Sequence, residues 1–421
     1  MNIAPSTPNA DGNATRKPFW AELTDVACSE SGSKVLFATD DWFSNAEHML
    51  SAEPPVFIPG KFTSYGKWMD GWESRRKRIA GHDWCIIRLA FGGAKIRGFM
   101  VDTGFFTGNQ APRISIQGAC LRGAAASEKD LELVKLRDSK GVEAGGGFAA
   151  TREAFDVEER LFGSQRWETL LDQVELNPGY EDSRYHHFDA LGTSSTWTHI
   201  RVNIFPDGGV ARLRVHGEVV PEADHGSAVL DVAAAENGGV SLGASNAHYG
   251  RVSNLIAPGR AKNMGEGWES ARNPKRPAIL EVEAGGKGIL KLPASMADWA
   301  IIRLCTASDV SKIEVDTNHF KGNCPESCVV EGATIDSRET SPESELTYCT
   351  SASGHVKWRP LLPRTSLRPH ARQYFSVAEG QLVNFRGVTH VRLTIYPDGG
   401  VSRLRIHGTR STLAPKSRAK M

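Results

Sequence analysis

The feature that most constrains this chain is an internal duplication. The 20 residues from Thr198 to Gly217 recur from Thr389 to Gly408, with 14 of the 20 positions identical. Three further motifs recur upstream in the same order: Gly71-Trp-Glu-Ser74 with Gly267-Trp-Glu-Ser270, Asp83-Trp-Cys-Ile-Ile-Arg-Leu89 with Asp298-Trp-Ala-Ile-Ile-Arg-Leu304, and Val101-Asp-Thr103 plus Gly108-Asn109 with Val315-Asp-Thr317 plus Gly322-Asn323. A repeat of this length indicates two homologous domains rather than a solenoid.

The positions of the motifs divide the chain into five segments. We predict a disordered arm over 1–19, the first repeat over 20–217, a linker over 218–230, the second repeat over 231–408 and a tail over 409–421. The arm is rich in Pro, Asn and Thr and has no apolar stretch of the kind found in a secretory signal, so we expect a protein that is not secreted. Each repeat is long enough to bury a core of its own.

Short strands separated by turns predominate in both repeats. Apolar runs at 84–89, 96–101 and 114–117 are cut by Gly and Pro, while 200–204 alternates apolar with polar residues. Glycine accounts for 42 of 421 residues, which favours a turn-rich chain. The best helix candidate, 127–138, lies in a segment that the second repeat largely lacks. We therefore predict an all-β fold of two homologous antiparallel β-sandwiches, jelly-roll in kind.

Charge and hydropathy exclude several classes of protein. Lys and Arg number 50 against 49 Asp and Glu, so no overall field attracts nucleic acid or an anionic membrane. No run of 18 apolar residues predicts a membrane span. The seven cysteines form no CxxC pair, which favours a reducing compartment. Cys324, Cys328 and His319 have the residue types of zinc ligands, but a fourth is missing and the first repeat lacks all three, so we predict no metal site.

The four doubled motifs, taken together, resemble the allantoicase family. They read Gly-Trp-Glu-Ser, Asp-Trp-(Cys/Ala)-Ile-Ile-Arg-Leu, Val-Asp-Thr-x-x-Phe-x-Gly-Asn and Pro-Asp-Gly-Gly-Val-x-Arg-Leu-Arg-x-His-Gly. The resemblance extends from about residue 20 to residue 408, and four ordered motifs are far more specific than one. It implies two jelly-roll domains similar to galactose-binding modules. It also implies hydrolysis of allantoate to ureidoglycolate and urea in purine catabolism.

The expected partner is therefore a small-molecule substrate, allantoate, with neither nucleic acid nor membrane involved. We expect a homo-oligomer and no cofactor, and the sequence leaves open whether a divalent metal assists. The alternative is a non-enzymatic tandem jelly-roll module that binds a small polar or sugar-like ligand, since one fold hosts many functions. The repeats differ at Phe105 against His319 and at His82 against Ala297, so they are not chemically equivalent.

Four arginines are the predicted contacts of the substrate carboxylate. Allantoate carries one carboxylate and two ureido groups on one carbon, so its site requires a cation, amide-type partners and an acid or base. With Pro-Asp-Gly-Gly as a hairpin turn, we expect Arg201 opposite Arg214 and Arg392 opposite Arg405. Facing arginines need an anion between them, either the substrate or a structural acid such as Glu73.

Two glutamates of the Gly-Trp-Glu motif are candidate proton-transfer groups. Glu73 and Glu269 follow a Gly-Trp turn, and a carboxyl beside an apolar ring has a raised pKa. The alternative is that both neutralise the arginines or cap a turn.

The Val-Asp-Thr and Gly-Asn motifs supply the remaining candidates. Asp102 and Asp316 are predicted as catalytic acids at strand ends, and Asn109 and Asn323 as partners of the ureido groups. His319 is the most specific general acid/base candidate because its counterpart is apolar. A turn made by Asp-Thr explains the acids equally well.

Two other features have a functional interpretation and an alternative without a function. His186 and His187 lie in a polar segment that is either part of the site or a surface loop. The last residues, Ala419-Lys420-Met421, resemble a relaxed peroxisomal address; the alternative is a cytoplasmic protein with a basic tail.

Overall fold

The computed structural model describes residues 17–138, 146–222, 226–276, 279, 281–283, 289–293, 296–336, 341–351 and 355–413. These residues form two compact bodies. Body one contains residues 25–222, and body two combines residues up to 24 with those from 223 onward. Residues 20–24, which the sequence analysis placed in the first repeat, therefore pack with the second body. Most of the N-terminal arm and the last eight residues of the C-terminal tail lie outside the described residues.

Body one is a sandwich of two antiparallel sheets with two helices. Its elements are β1 (Thr24–Asp25), β2 (Lys34–Ala38), β3 (Asp40–Asp41), β4 (Phe62–Thr63), β5 (Gly66–Lys67), β6 (Trp72–Glu73), β7 (Asp83–Arg88), β8 (Ala94–Asp102), β9 (Arg113–Ala119), α1 (Ala124–Asp138), β10 (Phe148–Ala149), α2 (Arg152–Leu161), β11 (Glu168–Glu175), β12 (Tyr185–Asp189), β13 (His199–Phe205), β14 (Gly209–Val210) and β15 (Arg212–Val219). A sheet ordered β1-β15-β8-β12 faces one ordered β11-β9-β13-β7-β2. Three short pairs, β3 with β10, β4 with β5 and β6 with β14, lie beside them.

Body two repeats this sandwich with one difference in connectivity. Its elements are β16 (Leu230–Asp231), β17 (Val240–Ala244), β18 (Trp268–Glu269), β19 (Asp298–Asp316), β20 (Ser327–Ala333), α3 (Pro342–Thr350), β21 (Arg359–Ser366), β22 (Arg372–Ser376), β23 (Val388–Tyr396), β24 (Gly400–Val401) and β25 (Arg403–Arg410). The first half of β19 pairs with β17 and β23, and its second half pairs with β25 and β22. One long strand thus replaces β7 and β8 and joins both layers.

Short 3₁₀ turns complete the described structure. They lie at Phe19–Glu22, Ser29–Ser31, Ala46–Leu50, Ala90–Gly92, Ser164–Arg166, Ala235–Asn237, Val252–Ile256 and Met264–Glu266. Among the residues described, no helix is long and apolar enough to cross a membrane.

The alternation predicted along 200–204 forms the core of body one. Ile200, Val202 and Ile204 are fully buried between the two sheets. Burial of apolar side chains on the inner faces of two sheets is the main force that stabilises such a sandwich. The two bodies therefore confirm the predicted all-β fold of two homologous antiparallel sandwiches.

The outer face of the five-stranded layer is covered differently in each body. In body one, Leu133 of α1 and Ala154 of α2 pack on Trp84 and Ile86. The predicted helix at 127–138 is confirmed, beginning three residues earlier. In body two, Cys349 of α3 and the N-terminal segment 17–24, through Trp20, cover the equivalent face.

Helices α2 and α3 were not predicted, although both begin with a recognisable cap. The side chain of Thr151 accepts a hydrogen bond from the backbone of Ala154, and that of Ser341 accepts one from Ser344. Ser or Thr before an acidic first turn is a helix start signal.

The predicted hairpin around Pro-Asp-Gly-Gly is wrong. Strand β13 pairs with β7 and β9, whereas β15 pairs with β8 in the other sheet. Between β13 and β15, the two residues of β14 pair with β6. At β14 the chain crosses from one layer of the sandwich to the other. Arg201 therefore does not face Arg214 across a ladder. Because β23 and β25 are likewise separated, Arg392 does not face Arg405 across a ladder either.

Candidate active site

Three of the four doubled motifs meet at one point in body one. Glu73 on β6 lies opposite Gly209 on β14. The backbone N–H of Gly209 donates to the carbonyl oxygen of Asn109 over 2.7 Å. The side chain of Asn109 in turn donates from Nδ2 to Oε1 of Glu73, also over 2.7 Å. The Pro-Asp-Gly-Gly segment is thus the support that places the glutamate beside the asparagine.

The second glycine of this segment is required by close packing. A Cβ atom at Gly209 would lie 2.0 Å from the ring of Phe106, which is fully buried. Real Cβ contacts do not come this close, so any other residue would displace the ring. The same contact occurs in body two, where a Cβ at Gly400 would lie 1.9 Å from Phe320.

A pocket of about 420 Å³ opens beside the Glu73–Asn109 pair. Its lining residues are Phe43, Lys67, Met69, Glu73, Phe105, Thr107, Gly108 and Asn109. Phe105 has a positive φ of 69°, a backbone conformation that side chains other than glycine rarely adopt. Its ring stacks on Phe57 with the centroids 5.9 Å apart, and the Lys67 ammonium lies 4.7 Å from the Phe57 ring. The pocket therefore combines apolar walls with one cation, one amide and one carboxyl group.

Burial changes the pKa of the Glu73 carboxyl group. The side chain is removed from water, which raises its pKa to about 6. The hydrogen bond from Asn109 and the positive charge of Lys67 both oppose this rise. A carboxyl group with a pKa near neutrality can accept and return a proton in the same reaction cycle.

Body two contains the same Glu–Asn–Gly arrangement, and the residues around it differ. Glu269 lies opposite Gly400, whose N–H donates to the carbonyl oxygen of Asn323 over 3.0 Å. Asn323 Nδ2 donates to Glu269 Oε1 over 2.5 Å and lies 3.7 Å from the sulfur of Met264. The structure thus brings together Glu73 with Asn109, and Glu269 with Asn323, as two separate pairs.

His319 occupies the position of Phe105 and shares its positive φ, here 71°. Its Nε2 lies 2.9 Å from the carbonyl oxygen of Ala261 and 3.0 Å from the Asn318 amide. Its backbone N–H donates to Nδ1 of His370 over 2.9 Å. Nε2 of His319 is therefore engaged by the backbone of Ala261 and by the neighbouring Asn318. Its predicted role as general acid/base stays a prediction.

Asp102 and Asp316 organise the loops and do not line the pocket. Asp102 is 2% exposed and forms a two-point ion pair with Arg184, over 2.6 and 2.8 Å. It also accepts the backbone N–H of Gly104 over 2.7 Å. Asp316 accepts that of Asn318 over 2.8 Å. These contacts are the turn chemistry that the sequence offered as the alternative.

The predicted arginines are engaged away from the pocket, and none of them pairs with Glu73 or Glu269. Arg214 lies 3.6 Å from Asp25 and donates to the carbonyl of Ala52. Arg405 lies 3.5 Å from Asp231.

Arg392 pairs with Glu331 over 2.6 Å. Arg201 stacks on Trp84 at 3.7 Å and donates to Ser164 and Asn203. The hypothesis that Glu73 or Glu269 neutralises these arginines is therefore wrong, because the glutamates lie on β6 and β18 rather than beside β13 or β23.

The histidine segment that the sequence singled out is structural. His186 is buried on β12, its Nε2 accepts the backbone N–H of Asn177 over 2.8 Å, and burial lowers its pKa. Within the described ranges, no group of three His, Cys, Asp or Glu side chains is arranged to hold a metal ion. Cys328 lies in the core of body two.

Sequence reasoning missed Lys67, Met69 and Phe43 of the pocket. None of the three belongs to a doubled motif, so comparison of the repeats could not single them out. Position in the chain supplies a weak signal, since Lys67 and Met69 lie four and two residues before the first glycine of the Gly-Trp-Glu-Ser motif.

Comparisons with known proteins agree on one family. The allantoicase repeat matches residues 24–220 and again 230–411. A probable allantoicase of Pseudomonas paraeruginosa is 39% identical over 401 residues, covering 94% of this chain and 98% of that protein. Probable allantoicase 1 of Burkholderia mallei is 37% identical, covering 96% and 98%. The crystal structure of allantoicase from Saccharomyces cerevisiae is 30% identical and covers 92% of this chain and 93% of that one, with a TM-score of 0.62.

Proposed function

This chain belongs to the allantoicase family and is an enzyme that hydrolyses allantoate to ureidoglycolate and urea, and we propose that the reaction takes place in the body-one pocket around Glu73. The observation that carries the site assignment is the hydrogen bond between Glu73 and Asn109 in a pocket that also holds a lysine. The full-length relatives are named as enzymes, and none of them favours the binding-module alternative.

The pocket supplies one partner for each part of the substrate. The exposed ammonium of Lys67 attracts the carboxylate, and the Asn109 amide is suited to a ureido carbonyl. The rings of Phe43 and Phe105 form apolar walls that reduce the water around the reacting carbon, which strengthens these polar contacts.

Glu73 acts as the proton carrier in the proposed reaction. Its carboxylate takes the N–H proton of one ureido group while the C–N bond to the other group breaks, and a C=N bond forms. The same proton passes to the nitrogen of the departing urea. Water then adds to the C=N carbon as Glu73 takes a proton from the water and returns it to the remaining ureido nitrogen. The sum is allantoate plus water giving ureidoglycolate plus urea, with Glu73 regenerated.

Urea release from allantoate tests this assignment directly. Glu73→Gln keeps the shape and the hydrogen-bonding capacity of the side chain but cannot carry the proton. Glu269→Gln makes the same change in body two and serves as the matched variant. A greater loss of kcat from Glu73→Gln supports the proposed location, and a greater loss from Glu269→Gln contradicts it.

Metal dependence, assembly and location stay predictions. Urea release that survives a chelator and is not raised by added divalent ions would support the expected absence of a cofactor. The exposed apolar side chains of Val56, Phe57, Ile58 and Phe62 support a homo-oligomer, which sedimentation would detect. The proposed peroxisomal address, Ala419-Lys420-Met421, lies outside the described residues. A fluorescent fusion carrying the last dozen residues should become punctate, and a diffuse signal would contradict this address.

A further inference from the structure

Arg201 is a buried cation without an acidic partner. Its side chain projects from β13 over the ring of Trp84, and the residue is only 6% exposed. Among the residues that the structure describes, no carboxylate oxygen lies within 4 Å of its guanidinium group. Glu158 and Glu159 influence it only from a greater distance. Buried charges in proteins are almost always paired, because an uncompensated buried charge is strongly destabilising.

Body two shows what the missing partner is. Arg392 holds the same place on β23 and binds Oε2 of Glu331 through Nε at 2.8 Å and Nη2 at 2.6 Å. Glu331 is the cross-strand neighbour of Arg392 on β20. In body one, the cross-strand neighbour of Arg201 on β9 is Gln117. The duplicated position has therefore kept its arginine and carries an amide in place of the carboxylate.

The amide of Gln117 does not replace the acid. Its Nε2 donates to the carbonyl oxygens of Gln165 and Trp167, over 3.1 and 3.2 Å. Its Oε1 accepts Asn203 Nδ2 over 3.2 Å. These contacts direct the Gln117 amide toward the 3₁₀ turn at Ser164–Arg166 and leave it without a bond to Arg201.

Arg201 uses two of its three guanidinium nitrogens in hydrogen bonds to the residues that the structure describes. Nε donates to Oδ1 of Asn203, and Nη1 donates to Oγ of Ser164, both over 2.8 Å. The plane of the guanidinium lies on the ring of Trp84, 3.7 Å from its centroid. Nη2 makes no hydrogen bond to a described residue. The group is thus held in place by two hydrogen bonds and a ring, with one N–H-bearing nitrogen unused.

We propose that Arg201 binds a small carboxylate anion through Nη2, the same guanidinium nitrogen through which Arg392 contacts the Glu331 carboxylate. A carboxylate is the matching class because body two already uses one against the same arginine, and a planar anion fits a planar guanidinium. The burial that lowers the pKa of Arg201 to about 10 adds to the need for a counter-ion. This site is separate from the Glu73 pocket and does not depend on where allantoate is hydrolysed.

The probe is acetate, which replaces chloride in the buffer at constant ionic strength. The melting temperature of the full chain should rise by about 2–4 °C at saturating acetate, since a ligand of the folded state stabilises it. Gln117→Glu places the missing carboxylate on β9. This variant should melt higher than the wild type in chloride and should lose the acetate increment.

Glu331→Gln is the matched variant in body two. It removes the acid from Arg392 and should enlarge the response to acetate. An equal increment for the wild type and Gln117→Glu would overturn the proposal, as would an equal effect of chloride and acetate. Arg201→Gln provides a second variant if Gln117→Glu does not fold. An acetate increment that survives the loss of this arginine would also overturn the proposal.

Discussion

The two bodies share one Glu–Asn pair and differ in the residues that surround it. Glu73 with Asn109, and Glu269 with Asn323, make the same side-chain hydrogen bond over 2.7 and 2.5 Å. In body one, Lys67 lies four residues before Gly71 and lines the pocket; the residue four positions before Gly267 in body two is Asn263. Duplication thus preserved the Glu–Asn pair and its supporting backbone, while the segments outside the motifs supply the cation Lys67 and the ring of Phe43.

A second comparison shows the same division. In body one, Nε2 of His199 lies 3.0 Å from Asp130 on α1; in body two, Nε2 of His390 lies 2.9 Å from Glu345 on α3. Both histidines are also bonded to the preceding threonine hydroxyl, and all four members of the two pairs are buried. The sheet histidine is thus the same in both repeats, and the acid comes from the helix that follows β9 in body one and β20 in body two.

The largest expected effect is a loss of kcat that differs between substitution of Glu73 and substitution of Glu269. Glu73→Gln should lower kcat by about 10²–10⁴-fold, the usual contribution of a general acid/base, while the fold persists because the amide still accepts from Asn109. Glu269→Gln should lower it far less. Steady-state urea release by both variants, with melting curves as the control for folding, measures the difference. Equal losses would mean that both bodies contribute to catalysis.

The pH dependence of kcat/KM should follow Glu73. Because the proposed reaction starts from the carboxylate, and burial raises its pKa to about 6, activity should fall about tenfold per pH unit below that value. Glu73→Gln should remove this acidic limb from the residual rate. A limb that persists in the variant would assign the titration to another group.

Lys67 should affect substrate binding more than turnover. Lys67→Met removes the cation and keeps most of the apolar stem, so KM should rise about tenfold, corresponding to roughly 1.4 kcal/mol, with kcat changed less. Lys321, which precedes Gly322-Asn323 in body two, offers Lys321→Met as a surface-charge control. An equal rise in both variants would indicate general electrostatic steering rather than a specific contact.

His319 tests whether the asymmetry at the positive-φ position has a catalytic role. His319→Phe gives body two the residue of body one and should change kcat less than about threefold, because the ring nitrogen contacts a backbone carbonyl. The sequence-based hypothesis predicts instead that removal of this imidazole, as in His319→Ala, lowers kcat more than it changes binding. A large loss of kcat in either variant would return the general acid/base to body two.

The smallest effect concerns the arginine that the sequence placed at the substrate. Arg392→Lys should lower the melting temperature by about 2–4 °C through loss of the paired contact with Glu331, with kcat/KM unchanged within a few fold. Thermal unfolding and allantoate kinetics on the same preparation decide between the structural and the substrate-binding role. A raised KM at an unchanged melting temperature would favour the latter.

Much of the fold could be predicted from local patterns. Strands β7, β8, β9 and β13 were predicted from apolar runs and from alternation, since side chains of a strand point to opposite faces in turn. Helix α1 was predicted at 127–138 and begins three residues earlier. Glu73 and Asn109 were singled out separately, because both are polar residues of doubled motifs.

The sequence by itself determined the duplication, the all-β class, the family and the residues of the Glu–Asn pairs. Only the tertiary structure decided which of these residues meet. A turn of the Pro-Asp-Gly-Gly type connects either neighbours in one sheet or strands of two facing sheets, and local backbone preferences do not distinguish the two. Contact of β14 with β6 decided it, and that contact separates Arg201 from Arg214 and seats Glu73 beside Asn109. Glu73 and Asn109 lie 36 residues apart along the chain. Their contact depends on the packing of the whole sandwich, which no short motif specifies.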